Sequence, residues 1–239
     1  AIPSVYFDYM FIRMHGNAAY EQFFSGNVSF TDPRVNATFN VLMELKDIGA
    51  MMPDPTSGAA YNVADLVNDT IPIYCGFEMM TVSPLQQGAN TSNLDVFPFP
   101  SYDGELGTAG PSEPTNAILG LVGTYAIPKN AQYKSYSHEF LTYATNPTVQ
   151  AGMLSYATSG FIPRFSMGSY VVPPRAKKVY SAVLAADAML FRSFAAFGFA
   201  SVTGDWWRII YTFEAMPTRA MAQGYLNTAL AAIEGERLA

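Results

Sequence analysis

Catalysis needs nucleophiles, bases or metal ligands at workable spacing, and this chain offers few. Cys75 is the single cysteine, which excludes an intrachain disulfide and a cysteine-based metal cluster. In its apolar stretch, that lone thiol reads as a small buried hydrophobe. His15 and His138 lie far apart, without metal-ligand spacing. No Gly-x-Ser-x-Gly elbow occurs to raise a nucleophilic serine. Glu78 and Asp205 are the carboxylates a glycosidase reading would pair, but nothing in the sequence fixes the separation that such chemistry depends on. The expectation is a protein that binds rather than catalyses, with no cofactor and no metal.

Composition narrows the partners. The 239 residues are 50% hydrophobic and 14% aromatic, enough to bury a substantial core. Only 13% are charged, and the formal net charge is −6. Basic clusters are missing, so nucleic acid is not an expected partner, because phosphate neutralisation needs grouped Lys and Arg. No apolar run reaches the length of a membrane span; the stretch from Val179 to Val202 is interrupted by Asp187, Arg192, Ser193 and Gly198. The opening Ala1-Ile2-Pro3-Ser4-Val5-Tyr6 has neither the basic nor the apolar region of a signal peptide. It runs directly into aromatic sequence, from which a processed, split or incomplete protein is expected.

The elements that must position any site are marked by local signals. In Phe30-Thr31-Asp32-Pro33-Arg34-Val35, Thr31 or Asp32 caps a helix. Pro33 suits its first turn, because its ring presets φ and its missing N–H would be unpaired there anyway. Val35, Phe39, Leu42 and Met43 continue at helical spacing, and Gly49 is a natural stop. Asn146-Pro147 repeats the device and predicts a helix to about Tyr156. Further helices are expected over Ala18–Phe24, Asn62–Val67, Met79–Gln86 and Ser135–Ala144, and from Pro174 to the end with a break near Gly198–Asp205 and a kink at Pro217. Strands are expected over Ile71–Cys75, Leu94–Phe99 and Leu119–Ile127, and loop over Pro100–Asn116. Few short strands among many helices give an α/β class in which part of the sheet is missing.

The order of these signals resembles the extracellular solute-binding proteins of ABC sugar importers, in the maltodextrin and oligosaccharide-binding branch. Tyr6-Phe7-Asp8-Tyr9 precedes a turn at His15-Gly16-Asn17. Ser29 to Val35 opens a helix that ends near Asp47-Ile48-Gly49-Ala50. Ile73-Tyr74-Cys75-Gly76-Phe77-Glu78 is similar to a strand followed by a Gly-aromatic loop, and Val96-Phe97-Pro98-Phe99-Pro100 to a strand crossing between lobes. Tyr125-Ala126-Ile127-Pro128-Lys129-Asn130, Thr145 to Gln150, and Gly160-Phe161-Ile162-Pro163-Arg164 complete the series. Each motif is weak alone; their order is the specific part.

The resemblance implies a helix-rich, two-lobed fold of the periplasmic-binding-protein type II kind, with the first part of the N-terminal lobe absent. Residues 1–116 would form the first part of the C-terminal lobe, 117–165 the returning segment of the N-terminal lobe, and 166–239 the hinge return and final helices. It also implies sugar binding between lobes, hinge closure, a periplasmic or extracellular location, and delivery to ABC transporter membrane subunits. Aromatic faces stack on sugar C–H faces while polar groups bond the hydroxyls, since buried polar groups left unpaired are costly. The positions carried over are Ser4, Tyr6 and Phe7 in the opening segment, Phe77 and Glu78 at a strand tip, Gly160 and Phe161 on the hinge side, and Asp205, Trp206 and Trp207 before the last long helix. Glu78 departs from the family's aromatic platform. The alternative is a solute-binding fold reused as an extracellular assembly component, joined to the absent lobe or another chain. Sequons at Asn27, Asn36, Asn68 and Asn90, glycan acceptors only on a eukaryotic secretory route, lean that way.

Overall fold

The computed structural model describes residues 3–48, 66, 72–73, 94–102, 116–120, 126–155, 174–186, 188–191, 200–216 and 218–238. The expected elements at Ile71–Cys75 and Met79–Gln86, and all but Leu66 of the helix at Asn62–Val67, lie mainly or wholly outside these residues.

The chain opens with α1 (Pro3–His15), α2 (Asn17–Phe24) and α3 (Pro33–Asp47). The opening segment is thus a helix. Val5, Phe7, Asp8 and every residue from Met10 to Met14 are buried, so α1 lacks the polar face that makes a helix visible as a period in the sequence. Gly16 separates α1 from α2 with φ +83°, a conformation that costs a glycine little. Asp32 is the cap of α3: its Oδ1 accepts the Arg34 N–H at 2.9 Å, with Pro33 in the first helical position, as the sequence predicts.

Two short strands, β1 (Ile118–Gly120) and β2 (Met189–Phe191), pair in parallel, Leu119 opposite Leu190. Parallel pairing requires a crossover, and between them run α4 (Lys134–Ala144), α5 (Pro147–Ser155) and α6 (Pro174–Ala185). The expected strand at Leu94–Phe99 is instead irregular chain. Pro98 and Pro100 have no N–H to give a ladder, and side chains of α1 hold this segment in place of a sheet.

The fold closes with α7 (Ala200–Ala215) and α8 (Arg219–Leu238). Of the expected break at Gly198–Asp205, the described part, Ala200 to Asp205, is helical: α7 runs through Gly204 and Asp205. A glycine inside a helix costs about 1 kcal/mol, less than the burial gained by Val202, Trp206, Ile209, Ile210 and Phe213 at helical spacing. The chain leaves the helix between Ala215 and Arg219; Pro217, where a kink is expected, lies outside the described residues.

α1, α2, α3, α7 and α8 enclose one core. Rings of Phe7, Phe11, Phe23, Phe30, Phe39, Trp206 and Phe213 form its centre, and Ala222, Leu226, Leu230 and Ile233 supply the buried stripe of α8. Helices from the first and third expected segments therefore share this core. From the middle segment, Ala117 and Leu119 join it, whereas α4 has no buried residue. The result is a helix-rich molecule with two short strands among the described residues.

Candidate functional site

Two of the four places singled out in the sequence meet where α1 crosses α7. Phe7 and Trp206 lie edge to face, ring centres 4.9 Å apart and planes at 79°. Phe23, Phe30 and Phe39 surround the same indole at 5.4, 5.4 and 6.0 Å. Phe7 is 0% exposed and Trp206 1%, so neither ring offers a face to a ligand here; both are core. Edge-to-face contacts add about 0.5–1.5 kcal/mol each beyond area burial, and truncating such a ring costs about 3–5 kcal/mol. Their chain neighbours differ. Tyr6 and Trp207 are half-buried, packed against the core yet open in part.

Compared with family models, curated proteins and solved structures, this chain matches none.

Asp205 lies on α7 rather than ahead of a helix. Its Oδ1 pairs with the Arg208 guanidinium at 2.6 Å, one turn on. Glu236 of α8 reaches the same carboxylate, and that hydrogen bond with its like-charge repulsion raises the Glu236 carboxyl above its ordinary value. Asp205 thus has an acidic neighbour that sequence reading missed, because the two residues stand on different helices. Glu78, the other carboxylate of the glycosidase pairing, lies outside the described residues. Among the described residues no group of His, Cys, Asp and Glu is arranged to hold a metal, and no described helix is long and apolar enough to cross a membrane.

Ser4 lies in the first turn of α1. Phe77, Glu78, Gly160, Phe161, Asn68 and Asn90 fall outside the described residues. Asn27 stands exposed in the turn after α2, its amide donating to Ser25 Oγ at 2.9 Å. Asn36 is half-buried within α3, and the threonine of its sequon, Thr38, is fully buried and donates to the Arg34 carbonyl at 2.9 Å.

Three polar clusters around this core carried no sequence signal. Arg13 is buried and donates to the carbonyls of Phe99, Pro100 and Ala117 at 3.1, 3.1 and 3.0 Å. His15 Nε2 donates to the Arg34 carbonyl at 3.1 Å and lies 3.2 Å from Thr38 Oγ1, joining the end of α1 to the start of α3. Burial is the main cause that lowers its pKa from 6.5. Glu234 accepts the Phe30 N–H at 2.8 Å and pairs with Arg237, whose Nη1 donates to the Gly26 carbonyl at 2.7 Å. Arg237 holds the Glu234 carboxyl below its usual range. Each cluster joins residues far apart in the chain, except the short Arg237–Glu234 step, and so leaves no local pattern to read.

Proposed function

We propose that this chain is the C-terminal portion of a periplasmic or extracellular solute-binding protein, which binds a sugar or oligosaccharide without transforming it and delivers it to an ABC transporter. The fold in this reading is the two-lobed, type II binding-protein kind. The observation that carries it is the unequal burial of the helices. α1, α2, α3, α7 and α8 close on one aromatic core. α4, from the segment expected to return to the other lobe, leaves Tyr133, Tyr136, Phe140 and Tyr143 exposed by 61%, 69%, 59% and 66%. Those positions, three and four apart, form one exposed apolar stripe. A second lobe is the partner this reading supplies for that stripe.

Within this reading, Tyr6 and Trp207 provide the open aromatic surface at the cleft, with Phe7 and Trp206 as their rigid backing. Asp205 and Arg208 provide polar groups at the rim. Phe77, Glu78, Gly160 and Phe161 remain the proposed contacts on the other elements.

The test is titration of the intact protein with a panel of oligosaccharides, followed by indole fluorescence and calorimetry. Saturable binding is expected, with a fluorescence change that Trp207→Phe abolishes and that leaves the sugar unaltered. No response to any sugar in the panel overturns the proposal. The exposed stripe of α4 also favours a second reading, an extracellular assembly component. That reading requires stable association with another chain and, on a eukaryotic route, glycan mass at exposed Asn27; a monomer of unmodified mass excludes it.

A further inference from the structure

The strand β1 has one edge paired with β2: the Ile118 N–H donates to the Ala188 carbonyl at 3.0 Å. Backbone groups of successive residues in a strand point to opposite sides, so the Ala117 carbonyl and the Leu119 N–H face the other edge. Both are taken there by side chains of one helix. Arg13 Nη1 donates to the Ala117 carbonyl at 3.0 Å, and the Tyr9 hydroxyl accepts the Leu119 N–H at 3.1 Å. Tyr9 and Arg13 stand four residues apart, one turn along α1. The same pair grips a second segment. Tyr9 stacks on Phe99 with ring centres 4.9 Å apart and planes at 4°, and Arg13 takes the carbonyls of Phe99 and Pro100. The guanidinium also lies 5.6 Å from the centre of the Tyr9 ring, which fixes the two side chains against each other.

We propose that Tyr9 and Arg13 form a latch: they stand in for a neighbouring strand on the outer edge of β1 and pin both that strand and residues 94–102 to α1. Arginine suits the task because its planar fork presents several donors in fixed directions, enough to serve three carbonyls at once. Residues 94–102 have no ladder of their own among the described residues; besides these contacts, Tyr102 packs against the core and Asp95 forms an exposed ion pair with Lys178. The latch rests on distances alone. Its consequence for ligand binding rests on the two-lobed reading, in which Val96 to Pro100 is the chain that crosses between lobes, so that the latch sets how stiffly the crossing is held.

Amide hydrogen exchange on the intact protein tests this. In Arg13→Met, the amides of residues 94–102 and 116–120 are expected to exchange about tenfold faster or more, the scale of lost hydrogen bonds to a charged group, while those of α3 and α8 keep their protection. Unchanged exchange in the two segments overturns the latch. So does a rise of equal size throughout α3 and α8, which would make Arg13 a general support of the core. Tyr9→Phe is the milder variant, because it keeps the ring on Phe99 and removes only the hydroxyl. Faster exchange at Leu119 with α3 unaltered is expected; an unaltered Leu119 amide counts against the latch. Local loosening in Arg13→Met with oligosaccharide affinity unchanged leaves the latch standing and overturns its link to the cleft.

Discussion

His15 joins two helices through a proton it must keep on one nitrogen. A carbonyl oxygen can only accept, so Nε2 carries the hydrogen that bonds the Arg34 carbonyl. The ring also meets Phe11 edge to face at 4.8 Å. Burial disfavours the imidazolium and is the main reason the folded pKa lies below 6.5; the Arg34 charge adds to it, while the bond to the Arg34 carbonyl and the charge of Asp32 oppose it. The sign follows from proton counts. Between the lowered folded pKa and 6.5, the unfolded chain binds more protons than the folded one, so stability rises with pH across that window and falls as pH drops below 6.5. Urea midpoints taken between pH 7.5 and 5.5 are expected to fall in the parent protein and to change less in His15→Gln. Equal slopes in the two proteins would show that His15 is not the group responsible. At the same scale, Phe7 and Trp206 show why residue types alone mislead about a site. An aromatic side chain favoured at recognition surfaces is favoured equally in a core, and only the partners from α2 and α3 decide between the two.

Two helix starts in this molecule use one device, and their different surroundings separate local from global stability. Asp32 Oδ1 accepts the Arg34 N–H at 2.9 Å, and Asn146 Oδ1 accepts the Thr148 N–H at 2.9 Å, each before a proline. Asp32 also pairs with the Arg34 guanidinium, the main cause that keeps its carboxyl below 3.8. Its contribution is complete above 3.8 and lost as pH falls through the lowered folded value. Asp32→Ala is expected to lower global stability by about 1–2 kcal/mol in urea unfolding, because α3 carries core residues Val35, Phe39, Leu42 and Met43. Asn146→Ala removes a cap of similar strength from α5, none of whose described side chains joins that core. Faster amide exchange within residues 147–155 is expected there, with the urea midpoint of the core unchanged. A midpoint lowered as far as by Asp32→Ala would instead place α5 in the same cooperative unit. Both caps were legible in the sequence because they are written within four residues. α1 was not, because a helix buried on almost every side shows no period. The strand expected at Leu94–Phe99 rests on apolar content alone; its prolines and the latch from α1 decide its structure.

For the whole molecule, the question is what covers α4. Three exposed rings lie on this helix and a fourth, Tyr133, at its N-cap, and the helix puts no side chain into the core. Single exposed apolar residues are ordinary on a protein surface, whereas a contiguous stripe at helical spacing marks a contact surface. Sequence spacing identifies the helix and puts Tyr136, Phe140, Leu141 and Ala144 on one side of it. It did not distinguish a stripe facing this chain's core from one facing elsewhere, because periodicity gives a face and not its partner. Phe140→Glu separates the two cases in the intact protein. If a second lobe packs on α4, the new carboxylate is buried there without a designed partner. A loss of about 2 kcal/mol or more is then expected, together with weaker oligosaccharide binding. A surface substitution away from any contact stays within about 0.5 kcal/mol. A change that small, with binding retained, would leave α4 facing solvent and remove the observation on which the two-lobed reading stands. Tyr133→Ser, at the stripe's end and just before α4 begins, is expected to lose less than Phe140→Glu, because it removes apolar area without burying a charge.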